Sequence, residues 1–202
     1  YHWSKAGGAE AVIFPNQNRR VDPGNPREAR LAELIKNATF RKALSLAIDR
    51  RPIIEVEYGG ITEAAQVSPG PESPFFEPVL HYAYIDYDPE RANELLDQIG
   101  LTRRDLEGYR TLPDGTPITY QITYRSDARF SAGMVQSIVE DWANVGIRFV
   151  IQEQSPNLFH VEIEGVVHEF VLAGANGEYF PLVNPRFYVP ARSSFQAYAY
   201  AY

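Results

Sequence analysis

LPDGTPITYQITY, residues 112–124, limits the architecture of this chain more than any other stretch. Pro113, Asp114 and Gly115 make a turn, and the residues after them alternate strictly. Ile118, Tyr120, Ile122 and Tyr124 take one side of a predicted strand; Thr119, Gln121 and Thr123 take the other. A helix follows from about Phe130 to Val145, with Met134, Ile138, Trp142 and Val145 on its buried stripe and Gly146 ending it. IRFVIQ (147–152) then reads at once as a second strand. Strand, helix and strand at this spacing most simply make a right-handed parallel crossover. VHEFVLAGA (167–175) reads as another strand, running into a loop that carries glycine. With no internal repeat and no low-complexity tract, the expected fold is α/β. It is a single domain over residues 1–202, with a mixed β-sheet flanked by helices.

The first half of the chain supplies layers for that sheet. EAVIFPN (10–16) reads as an opening strand, and REARLAELIKN as a helix after a loop through Pro23, Gly24 and Pro26. Asn37 is placed to cap the next helix, where Phe40, Ala43, Leu44, Ala47 and Ile48 form one stripe. Pro52 is tolerable only in a first turn, so it opens a new helix that stops at Gly59 and Gly60. Residues 61–88 are rich in Pro, Gly and Ser and cannot pair as a central strand; they predict an extended segment wrapping the surface. DPERANELLDQIG has Asp88 as N-cap, Pro89 in the first turn, an apolar face at Ala92, Leu95, Leu96 and Ile99, and Gly100 past its end.

Composition narrows the partners. A formal charge of −7 argues against a nucleic-acid backbone and against docking on anionic lipid. No run approaches the ~18 apolar residues of a membrane span. Cysteine is absent, which removes thiol catalysis, disulfides and Cys-based zinc sites. Thirteen tyrosines are available to stack on a ligand and hydrogen-bond to it, although filling the core and lining strands accounts for most of them. Both ends look cut: Tyr1 is not a start-codon product, and SFQAYAYAY places Tyr198, Tyr200 and Tyr202 in a period-2 stripe that expects a partner surface. The chain reads as a piece of a longer protein.

Catalytic patterns are scarce. There is no G-x-S-x-G elbow, no phosphate-cradling Gly-Lys loop, no dinucleotide fingerprint and no H-E-x-x-H. The nearest thing to a metal cluster is HVEIEGVVHE. If residues 160–164 are extended, His160, Glu162 and Glu164 project to one face, with His168 close behind, as a metal-dependent hydrolase could use. A solvated strand or helix face is the plainer reading and the favoured one. Most other acids sit on helical faces where solvation is the default, so no catalytic residue, cofactor or metal is expected and the chain does not read as an enzyme.

Ligands of open α/β sheets bind outside the carboxyl ends of the strands. Two segments qualify. In RSDARF (125–130), Ser126, Arg129 and the backbone N–H groups at the helix start can hold a polar or anionic group. In AGANGEYFP (173–181), glycines permit close backbone approach while Asn176, Glu178, Tyr179 and Phe180 combine hydrogen bonding with a stacking surface. Each segment is otherwise a turn that needs its glycine or serine for its own geometry.

FRKALSLAIDRRPI followed by Tyr58-Gly59-Gly60 resembles the helix pair of the large extracellular solute-binding proteins of ABC importers, the peptide/nickel/oligosaccharide-binding family. YDPERANELLDQIGL, RTLPDGTPITYQITY, VQSIVEDWANVGIRFVIQ and VNPRFYVP are similar to segments of that family in the same order, over most of residues 10–190. The resemblance implies one lobe of a type II periplasmic-binding-protein-like fold, the C-terminal lobe, with an N-terminal lobe expected before Tyr1 and a return to it after Tyr202. It also implies capture of a small solute, a peptide or oligosaccharide, in the periplasm or at the outer face of the bacterial cytoplasmic membrane. Delivery would be to ABC permease subunits, and contact with the membrane would come only through the permease or a lipid anchor. Peptide-binding members place an acidic residue in a Trp-x-x-Asp-Tyr context; here the loop is AGANGEYF, without the Trp or the Asp, and Glu178 is the available substitute. A non-transport solute sensor on the same fold is an alternative the sequence leaves open.

Overall fold

The computed structural model describes residues 8–176. In chain order these form β1 (Gly8–Pro15), α1 (Pro26–Lys36), α2 (Ala38–Leu46), α3 (Arg50–Tyr58), α4 (Pro78–His81) and α5 (Pro89–Gln98). There follow β2 (Thr119–Arg125), α6 (Ala132–Asn144), β3 (Arg148–Gln154), α7 (Pro156–Gly165) and β4 (Phe170–Asn176). The four strands make one sheet in the order β1-β4-β2-β3. β2 pairs parallel with both β3 and β4, and β1 runs antiparallel along β4 from Gly8 opposite Asn176 to Pro15 opposite Phe170. The expected mixed α/β sheet with a parallel crossover is the observed one.

Side-chain alternation assigns the two faces. Tyr120, Ile122, Tyr124, Phe149, Phe170 and Leu172 point into the main core, which α1, α2, α5 and α6 close from the other side. Its centre is aromatic: Trp142 lies 4.0 Å from Phe149, Phe149 4.9 Å from Phe170, and Tyr120 5.2 Å from Phe170, centroid to centroid. Two of these rings carry polar atoms into the core and satisfy them there. The Tyr120 hydroxyl donates to the Leu31 carbonyl at 2.9 Å, and Trp142 Nε1 donates to the Leu44 carbonyl at 3.0 Å. On the second face, Phe159 and Ile163 of α7 cover Val171, while Val67 packs beside Val12, Phe14 and Ala173. β2 is therefore covered on both sides near its middle, and Thr123, on the side opposite Ile122, is buried as well.

The helix pair at 38–58 is scaffold, and its charged residues explain how two helices abut without a loop. Asn37 Oδ1 accepts from the backbone of Thr39 (2.9 Å) and Phe40 (3.3 Å), and Asp49 Oδ1 accepts from Arg51 N (3.1 Å), so each helix has its own N-cap. Arg41 Nη1 donates to the carbonyls of Ile35 (2.8 Å) and Lys36 (2.7 Å), closing the end of α1. Arg50 Nη1 does the same for α2 at Ser45 (2.9 Å) and also reaches the Ile85 carbonyl (3.1 Å). Orphan carbonyls at helix ends need donors, and these guanidinium groups supply them.

Three local expectations change. The helix after β2 begins at Ala132, not Phe130, because Ser131 takes the N-cap and its Oγ accepts from Met134 N at 3.0 Å. Residues 61–88 wrap the surface as expected but contain one helical turn, α4, with Pro78 at its start. Residues 160–164 are helical, not extended. Ser155 and Pro156 open α7, and Phe159 and Ile163, four apart, bury together.

Candidate functional site

The parallel pairing of β2, β3 and β4 brings their carboxyl ends to one end of the sheet, and β1 begins there. Both candidate loops leave from this end. Ser126 N donates to the Gln154 carbonyl at 2.8 Å, tying the tips of β2 and β3, and the Ser126 side chain is exposed. Arg125 grips Asp127 through Nε (2.8 Å) and Nη2 (2.5 Å), and this guanidinium holds the Asp127 carboxyl below the usual carboxylate range. Arg129 is exposed and, among the described residues, has no hydrogen bond or ion pair. Among the described residues the tips therefore present one uncommitted cation, Arg129, beside a neutralised pair. The Tyr124 hydroxyl, pushed up first by burial and then by its 3.0 Å bond to Glu153, adds a polar group that stays protonated.

The start of α6 is less available than expected. Ser131 Oγ donates to Glu57 Oε1 at 2.5 Å and Ser131 N donates to Glu57 Oε2 at 3.3 Å. A carboxylate from α3 already sits where an incoming anion would find N–H groups and the positive end of the helix dipole. Arg129 remains as the cationic element of that loop. No local sequence signal identified Glu57, since its partner lies 74 residues away. Asp127 could have been found, being two residues from Arg125 in the quoted loop. Asn176 is the last residue of β4, in register with Gly8 at the tips. Glu178, Tyr179 and Phe180 lie outside the described residues, as do VNPRFYVP and the terminal tyrosine stripe.

The suspected His/Glu cluster does not form. With α7 helical, His160 and Glu164 point to solvent, and Glu162 accepts from Gln154 Nε2 at 2.8 Å. His168 is buried at the opposite end of the sheet, where burial lowers its pKa to about 4. Among the described residues no group of three or more His, Cys, Asp or Glu is placed to hold a metal ion. That same end holds Asn16, whose Nδ2 donates to the His168 carbonyl at 2.9 Å, and Arg19, which lies 3.1 Å from Glu169. Glu169, its pKa raised by burial despite Arg19, accepts from Gln121 N at 2.6 Å. These groups lock the turn before β4 to the turn after β1. An open depression of about 320 Å3 lined by Arg30, Leu34, Ile99, Leu101, Leu112 and Asp114 lies on the amino side of β2, away from the strand tips. Its floor is aliphatic and its charged rim, Arg30 with Asp114, is self-paired.

Comparison with known proteins places this geometry. Residues 2–193 match the sequence model of the bacterial extracellular solute-binding proteins, family 5 Middle. The chain is 28% identical over 143 residues, 68% of its length, to the Di/tripeptide-binding protein 1 of Pseudomonas aeruginosa (strain UCBPP-PA14) and covers 24% of that protein. It therefore spans about a quarter of that curated relative's length. Among solved structures it superposes on the oligopeptide-binding protein OppA with a TM-score of 0.82 and 31% identity, covering 92% of this chain and 28% of that one. The periplasmic binding protein MelB of Agrobacterium fabrum C58, in complex with stachyose, shares the fold at a TM-score of 0.76 and 20% identity, over 96% of this chain and 30% of its own.

Proposed function

We propose that this chain, which belongs to the bacterial extracellular solute-binding proteins of family 5, is the C-terminal ligand-binding lobe of a two-lobed protein that captures a peptide or oligosaccharide-type solute for an ABC importer. The supporting observation is the convergence of the β2, β3 and β4 tips, with Ser126 and Arg129 on one loop and Asn176 opening the other. The start of β1 and the end of β4 lie side by side there, so a second lobe joined through them faces the same tips. Closing the two lobes around a solute sequesters it from water, and reopening at a permease releases it. Glu178, Tyr179 and Phe180, on the continuation of β4, would supply stacking and polar contacts to the same ligand.

A peptide carries a carboxylate that Arg129 can receive, whereas an uncharged oligosaccharide draws chiefly on the aromatic and amide groups. The names of the relatives, a di/tripeptide-binding protein and an oligopeptide-binding protein, favour the peptide. The proposed setting is the periplasm or the outer face of the cytoplasmic membrane. Among the described residues no helix is long and apolar enough to cross a membrane.

A thermal-shift screen of the full-length protein against di- to pentapeptides and neutral oligosaccharides tests the proposal. A solute at a hundred times its Kd adds roughly 2.7 kcal/mol to the folded state and raises the melting temperature accordingly. A flat response to both panels would count against solute capture. A response to oligosaccharides alone would move the ligand class and leave the lobe assignment standing.

A further inference from the structure

α3 brings to the strand tips a carboxylate that the solute-capture reading does not use. The helix runs back along α6 and is tied to it at both ends. Asp49 N, at its start, donates to Asp141 Oδ2 at 2.9 Å, and Glu57, in its last turn, meets Ser131 at the start of α6. Between these ties α3 buries no residue outright and leans on the core through Ile53 and Tyr58. Gly59, with φ +57, stops the helix just past Glu57.

A carboxylate in the last turn of a helix is disfavoured by that helix's own dipole. Glu57 is therefore badly placed on α3 alone, and what it gains lies at α6. Its Oε1 accepts from Ser131 Oγ at 2.5 Å and its Oε2 from Ser131 N at 3.3 Å, facing the positive end of a 13-residue helix. Ser131, Ala132 and Gly133 are exposed, so this helix start opens to solvent and the Glu57 carboxylate stands at it. Arg129 is two residues away. On the β3 side of the same loop, Phe130 packs 5.7 Å from Tyr124, whose hydroxyl donates to Glu153 at 3.0 Å. Arg125 is engaged by Asp127. The loop thus offers Arg129 to one anionic group and sets a carboxylate at its α6 end and another at its β3 side.

We propose that Glu57 is a specificity-determining residue. It fills the anion-receiving start of α6 with the chain's own carboxylate and so confines the loop to a solute with a single carboxylate. The inference rests on the solute-capture reading above and narrows it to peptides whose carboxyl-terminal side chain is not acidic. A peptide ending in aspartate or glutamate brings a second carboxylate beside the first, within reach of Glu57. Like charges repel there, and the half-buried position of Glu57 leaves that repulsion only partly screened.

The test is calorimetric titration of the full-length protein with two tripeptides, Ala-Ala-Ala and Ala-Ala-Asp. The unmutated protein should bind the first roughly tenfold more tightly, and this preference should shrink in high salt. Glu57→Gln keeps the size of the side chain without its charge. It should shift the ratio of the two affinities roughly fivefold toward Ala-Ala-Asp, while Glu57→Asp, which keeps the charge, should shift it far less. Equal binding of the two peptides by the unmutated protein, a preference indifferent to salt, or an unchanged ratio in Glu57→Gln would overturn the proposal. So would an equal loss of both affinities, which would make Glu57 a support for the loop and not a filter. If the unmutated protein binds neither peptide, the proposal falls with the peptide reading, and the sugar arm of the thermal-shift screen shows whether solute capture survives.

Discussion

At the amino ends of β2 and β4 most polar side chains are shielded and bonded to the protein itself, whereas beyond the carboxyl end of β2 they stand in water. Asn16, Arg19 and Glu169 bond to one another or to backbone across the β1–β4 turns, and the His168 ring is buried among them. Arg110, buried beside the Gly146 turn that precedes β3, donates to the Val145 and Leu101 carbonyls and pairs with Asp97 at 2.5 Å. At the tips, Ser126, Asp127 and Arg129 are exposed. A buried polar group costs free energy unless its partners are fixed, so the first end is committed to one arrangement. At the β2 tip Arg125 and Asp127 hold each other, while the exposed Ser126 and Arg129 are left to offer. Such an asymmetry would suit the proposed lobe, which has to keep its shape while its rim exchanges water for a ligand.

The strongest way to break the base is to remove Arg110. Arg110→Ala strips the donor from two buried carbonyls and should cost the full-length protein roughly 3 kcal/mol. Thermal or urea unfolding measures the loss. A change within 0.5 kcal/mol would mean that water or neighbouring side chains satisfy those carbonyls and that the base is not locked as described.

Acid should loosen the same end. The His168 pKa is lowered to about 4 by burial, below the ~6.5 of an exposed imidazole. The unfolded chain therefore binds a proton that the folded one refuses. The stability this contributes is complete above about pH 6.5 and is lost as pH falls toward 4, by up to about 3 kcal/mol. Glu169 is shifted the other way, its folded pKa raised by burial, so it favours the folded state more as pH falls and offsets part of the loss. Unfolding measured from pH 7 to 4 should show the decline in the unmutated protein and a flatter profile in His168→Gln. Parallel profiles would remove His168 as the cause.

Relief of strain is a smaller effect and has the opposite sign. Val166, at the C-cap of α7, has φ +57, a left-handed conformation that a β-branched side chain rarely adopts. Its carbonyl is held there by Arg20 N at 2.8 Å and Asn16 Nδ2 at 3.3 Å. Val166→Gly should stabilise by about 1 kcal/mol, read as a rise in melting temperature. A fall would show that the lost side-chain packing outweighs the strain.

The sheet order and the base differ in how far the sequence revealed them. Period-2 alternation at 118–124 and the Gly146 stop fixed the β2–α6–β3 crossover, because hydrophobic burial dictates both signals locally. The alternation in HVEIE left strand and helix open, with a solvated face favoured; Ser155-Pro156 and the four-residue spacing of Phe159 and Ile163 carried the helix, and its His160 and Glu164 are exposed. Contacts between distant segments left no trace to read: Glu57 at Ser131, Asn16 at His168 and Arg50 at Ile85 depend on how the layers stack. Of the candidate site, the position of residues 125–130 at the strand tips was legible from topology. The filling of the α6 start by Glu57 was not.

The sharpest contrast with the base is expected from the mildest substitution. Arg129 touches no partner among the described residues, so Arg129→Ala should leave stability within about 0.5 kcal/mol of the unmutated protein. If the tips receive a solute carboxylate, the same change should weaken binding of a peptide in the full-length protein by roughly tenfold, the worth of one charge-assisted contact. Binding of a neutral oligosaccharide should be almost unaffected. Calorimetric titration of both ligand types separates the outcomes. Loss of stability would make Arg129 part of the framework after all, and equal peptide affinity in the two proteins would place the solute's anionic end elsewhere on the rim.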